Sequence, residues 1–129
     1  MPLAIVGGTH FVDRPYGCCK GVVYSLTGGG QNVLYTFTGG NDGGTPTATL
    51  VLSNGVLYGT TLAGGPGHNG TAFSVTIANG TETVLHGFRG GSDGATPGAG
   101  LFMNSAGVLY GTTQGGGHFQ KGTVFQYKQ

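Results

Sequence analysis

Histidine and carboxylate are the residues of this 129-residue chain best suited to chemistry, and most of them sit in glycine-rich runs. His10 follows Gly7-Gly8-Thr9, His68 closes Gly64-Gly65-Pro66-Gly67, and His118 follows Gly115-Gly116-Gly117. Three neutral imidazoles converging from such loops would suit zinc or copper, with a fourth position open for an activated water. Their distances to the next shared glycine (Gly21, Gly70 and Gly122) are eleven, two and four residues, so equivalent geometry is not expected. Exposed polar loop residues are the simpler reading. Asp42 and Asp93 share the pattern Gly-Gly-x-Asp-Gly-x-x-Pro. Calcium takes six to eight oxygens, and each loop offers one carboxylate beside carbonyls and the hydroxyl of Thr45 or Thr96. An Asx-type turn stiffened by Pro46 or Pro97 competes with that reading. Gly90-Gly91-Ser92-Asp93-Gly94 has the spacing of a nucleophile elbow, but the elbow needs a strand-to-helix turn, and Asn41 takes the serine position in the other copy. Tyr58, Tyr110, Phe11 and Phe119 offer ring faces on which a sugar could stack. His86, standing where the other copy has Tyr35, reads as a surface substitution.

The elements that must position these residues follow from an internal repeat. Gly55-Val56-Leu57-Tyr58-Gly59-Thr60-Thr61 recurs letter for letter from Gly107 to Thr113. Aligning the flanks gives a lead at 1–20, repeats at 21–69 and 70–121, and the first strand of a third repeat at 122–129. A period near 50 residues is that of a four-stranded propeller blade. Tyr24 and Leu26, Phe73 and Val75, and Phe125 and Tyr127 alternate with smaller residues, the period of a strand. Further strands are expected over 33–38 and 84–89, 49–52 and 100–103, and 56–61 within the duplicated block. Asn54-Gly55 marks a tight hairpin, and no stretch holds a helical period. Residues 3–6 with Gly7-Gly8 resemble a worn fourth strand, which brings the expected total to about ten. Tyr58 and Tyr110 alternate with Leu57 and Leu109, so they belong either to the core of a two-sided sheet or to a crevice between sheets. Two longer loops per repeat remain, 39–47 with 90–98 and 62–69 with 114–121. One of them must cross between sheets, and either fits.

Composition narrows the function. Glycine contributes 30 of 129 residues, at matched positions in both copies, as turn residues of a dense β structure do. Five basic and four acidic residues leave a formal charge of +1, with no basic stripe, so nucleic acid is not an expected partner. No apolar run approaches a membrane span, and the N-terminus lacks the basic and apolar regions of a signal peptide. Cys18 and Cys19 are adjacent, a spacing at which a mutual disulfide is strained.

The succession Gly-Thr-x-Phe, Val-Leu-x-x-Phe-x-Gly-Gly-x-Asp-Gly-x-x-Pro and Leu-Tyr-Gly-Thr-Thr-x-x-Gly-Gly resembles the bacterial GloVer-type tandem repeat, over residues 21–129. The resemblance implies a β-propeller-like array in a surface or secreted protein, with no catalytic residues to carry over. Just over two copies are present, whereas propellers close with four to eight blades. A ring-completing homo-oligomer is therefore an expected partner. The functional expectation is a non-catalytic binding or structural module that reads carbohydrate or cell-surface partners through repeated shallow sites. The competing expectation is a zinc or copper enzyme on His10, His68 and His118.

Overall fold

The computed structural model describes residues 4–8, 21–27, 30–46 and 50–128. These form ten strands in three antiparallel sheets and one short 3-10 turn, Gly91–Asp93. The first sheet contains β1 (Ala4–Gly8), β2 (Val22–Thr27) and β3 (Gly30–Thr36). The second contains β4 (Val51–Ser53), β5 (Val56–Thr61), β6 (Thr71–Thr76) and β7 (Thr81–Gly87), in that order. The third contains β8 (Phe102–Met103), β9 (Leu109–Thr113) and β10 (Thr123–Tyr127). The chain is all-β, as the alternation predicts. His10, Phe11, Cys18 and Cys19 lie outside the described residues.

The sheets are offset from the repeat by half a unit. The complete second sheet takes the third and fourth strands of one repeat and the first and second of the next. β1 pairs with β2 as β5 pairs with β6, so residues 4–8 occupy a fourth-strand place. The choice between the two loop types is thereby made. Residues 37–50 and 88–101, which carry Asp42 and Asp93, cross between sheets, and the histidine loops join neighbouring strands of one sheet.

Local chemistry explains the turns and registers. Asn54 and Gly55 both have positive φ, 52° and 77°, which a two-residue hairpin that follows the strand twist requires. The second strands carry matching bulges. Val23 pairs with Tyr35 and Tyr24 with Val33, leaving Leu34 extra; Ala72 pairs with His86 and Phe73 with Val84, leaving Leu85 extra. A bulge re-aims the residues beyond it, and here those residues are the two ring pairs Tyr35 with Phe37 and His86 with Phe88. β3 and β7 begin three residues earlier than the alternation predicts, at Gly30 and Thr81.

The second sheet is buried on both faces. Leu57, Phe73 and Val75 meet Val23 and Phe37 from the first sheet in one cluster. Tyr58 meets Leu101 and Leu109 from the third in another. Each large apolar side chain so enclosed contributes about 1.5–3 kcal/mol. The glycine of the duplicated block makes this packing possible. A Cβ on Gly59 would lie 2.5 Å from Leu50 Cδ2 and 2.9 Å from Phe73 Cζ, and one on Gly111 would meet Phe125 and Leu101 at 2.5 and 2.7 Å. The aromatic ring of the neighbouring strand lies across the bare glycine.

Candidate functional site

Each crossing loop is fastened at both ends. Asp42 reaches back to the end of its own sheet, accepting from Thr38 N–H (2.9 Å), Thr38 Oγ1 (2.6 Å) and Tyr35 OH (2.7 Å). Burial on its own would raise this carboxyl; the bonds from Thr38 and Tyr35 outweigh it and hold the group below its ordinary value. The Tyr35 phenol is pushed up, by burial first and then by its bond to Asp42 and the charges of Asp42 and Glu82. The far side of the loop pairs with the histidine loop of the next sheet, where Gly44 and Ala63 exchange both backbone bonds. Gly43, at φ 98°, lies over the hydroxyls of Thr61 and Thr71, where a Cβ would come within 2.7 and 2.9 Å.

Those two threonines account for the last letter of the duplicated block. Thr61 Oγ1 donates to the Ala63 carbonyl (3.1 Å) and accepts from Thr71 N–H (3.0 Å). A hydroxyl has one proton and two lone pairs, so Thr71 Oγ1 must be the donor in the 2.8 Å contact between them. The Thr61 hydroxyl is thus fully used in a site that excludes water. Thr113, Thr123 and Gly115 repeat the arrangement.

The second crossing loop keeps the staple and changes the donor. Asp93 accepts from Arg89 N–H (2.9 Å) and from His86 Nε2, which lies 3.1 and 3.0 Å from its two oxygens. A carboxylate has only acceptors, so the imidazole presents Nε2–H. His86, whose side chain is 43% exposed, is at the surface as expected and is also the counterpart of Tyr35, seven residues before the equivalent aspartate. That shared spacing was the available signal. It went unused because a bulge has to turn the side chain toward the loop. Ala72, Phe88, Phe125, Gln126 and Tyr127 join the pair in lining a cleft of about 160 Å³ that opens to solvent.

The other predicted site residues fall in three places. Tyr58, at 8% exposure, belongs to the core between the second and third sheets, and Tyr110 is half-buried on β9. Opposite Tyr110, Phe102 is 65% exposed, an apolar ring the sequence reading did not single out. The two histidine loops have equal length, and within them His68 and His118 stand two positions apart: His68, at φ 61°, corresponds to Gln120, at φ 60°. His118 instead packs edge-on against Phe119, with ring centroids 4.7 Å apart, and Phe119 is 78% exposed. Among the described residues no three His, Cys, Asp or Glu side chains group as metal ligands. Both loop aspartates direct their oxygens onto donors of their own strand ends. Among the described residues no helix is long and apolar enough to cross a membrane.

A family model, described as the Gloeobacter/Verrucomicrobia repeat, matches residues 8–129. Neither a curated protein nor a solved structure matches the chain.

Proposed function

Because the chain belongs to the Gloeobacter/Verrucomicrobia repeat family, we propose that it is a non-catalytic binding or structural repeat module. In this reading its sheets follow one another in a propeller-like array outside the cell, and carbohydrate is held at shallow aromatic sites. The observation that carries the reading is Phe119. A large aromatic ring at 78% exposure, braced edge-on by His118, offers one flat face to solvent. Its loop is fixed by Gly117 N–H to the Gly91 carbonyl (2.6 Å) and Gly122 N–H to the Gly116 carbonyl (2.9 Å). Such a platform binds without paying for loop ordering. Sugar rings present apolar C–H faces that stack on it.

The alternative, a metal-dependent enzyme, needs His68 and His118 at one point, and their loop positions are not equivalent. A glycan array probed with the 129-residue chain tests the reading. Binding is expected, with a loss of at least tenfold in Phe119→Ala and an unchanged melting temperature, since the ring is exposed. A chain that binds no glycan, or binds equally well without the ring, would contradict it.

A further inference from the structure

The two interfaces between sheets use equivalent positions yet do not close equally. At the first, Val23, Phe37, Phe73 and Val75 have no exposed surface and form one cluster, with Tyr35 packed against it. At the second, the cavity of about 160 Å³ opens. Two replacements on the second-sheet side remove bulk: Ala72 stands where Val23 does, and His86 where Tyr35 does. One on the third-sheet side adds it, with Tyr127 for Val75. The row of rings is retained. Tyr35, Phe37 and Phe73 follow one another at 5.0 Å with interplanar angles of 78° and 71°, and His86, Phe88 and Phe125 at 4.8 and 5.0 Å with 81° and 64°.

We propose that this cavity is a binding site for a small methylated organic ammonium ion, such as a trimethylammonium group. His86 and Phe125, both half-buried, line the cavity with the buried Phe88 ring between them, and aromatic rings attract cations. Asp93 lines the same wall, and no lysine or arginine does. Three of the roughly four acceptor sites of Asp93 are taken by His86 and Arg89, so a methylated ammonium suits the site better than a primary ammonium with three N–H groups to satisfy. The volume is close to the roughly 150 Å³ of a cavity that holds benzene, and a tetramethylammonium ion has similar bulk. A neutral guest of that size would gain the ring contacts and nothing from the carboxylate.

The test is an NMR titration of the 129-residue chain with tetramethylammonium chloride, and separately with tert-butanol, at matched ionic strength. Saturable shifts of the His86, Phe88 and Phe125 resonances are expected, with the cation bound at least tenfold more tightly than the alcohol. Ala72→Val combined with His86→Tyr installs the side chains of the first interface. It should weaken binding at least tenfold without lowering the melting temperature. Should that double variant not fold, Ala72→Val alone must produce the loss. Asp93→Asn should bring the cation within threefold of the alcohol. No saturable binding, equal binding by the filled variant, or no preference for the cation would each overturn the proposal.

Discussion

Glu82 on β7 holds a buried carboxylate oxygen, Oε2, with no hydrogen-bond partner among the described residues. Burial, and then the charge of Asp42, pushes this carboxyl up from 4.5 to about 7. The folded chain therefore takes up its proton more readily than the unfolded chain does. The resulting stabilisation is fully present below about pH 4.5 and is lost as pH rises through 7. Asp42 works in the opposite direction: its lowered carboxyl stabilises the fold above its ordinary value and loses that contribution as pH falls. Glu82→Gln, which installs the residue found at the equivalent Gln31, should flatten the neutral limb. At pH 8 the gain is expected to be about 1 kcal/mol, allowing for solvent screening of a half-exposed group, with little change at pH 4. Urea melts at the two pH values check both halves of this expectation. Equal effects at both would mean that packing, not charge, governs the position.

At the scale of the element, the glycine in the middle of Leu-Tyr-Gly-Thr-Thr is a packing device. Gly59→Ala forces a methyl into Phe73 and Leu50, both held in the closed first cluster. Overpacking of this kind costs about 1–3 kcal/mol. Gly111→Ala meets Phe125, which is only half-buried and borders the cavity, so its cost should be smaller. Denaturant melts of the two variants rank them directly. Much of this element was legible in the sequence: the duplicated block predicts β5 to the residue, Asn54-Gly55 predicts its turn, and alternation marks Phe73 and Val75 as one face. The starts of β3 and β7 were not legible, because Gln31-Asn32 and Glu82-Thr83 are polar and join their strands only through pairing with a neighbour. Nor could the crossing loop be chosen, since both loop types are glycine-rich and of similar length. The site was hidden for the same reason. Tyr35 with Asp42 and His86 with Asp93 share a spacing of seven, but only the bulge and the folded-back loop bring them into contact.

Across the whole molecule, an interface that is repeated once is left open on the outer face of the third sheet. Val51, Tyr58 and Ala72 face that sheet from the second, where Tyr58 and Ala72 are buried and Val51 is half-buried against the cluster. Their counterparts Phe102, Tyr110 and Val124 stand 65% exposed, half-buried and 81% exposed. An apolar face of this composition favours association, and under the proposed propeller-like array its occupant in a ring completed by copies is a second chain presenting a sheet of the same kind. Light scattering should give a concentration-dependent mass in multiples of 12.9 kDa, and Val124→Lys should return a monomer. A monomer at every concentration would count against ring completion by copies. The half-unit offset between repeat and sheet bears on inheritance. A duplicated segment of about 50 residues carries the trailing half of one sheet and the leading half of the next, so no copy is born as a free-standing body. Each added unit is stitched into its neighbours at the moment it arises. A difference between copies, such as Ala72 where Val23 and Val124 stand, is then felt in the seam shared with the next sheet.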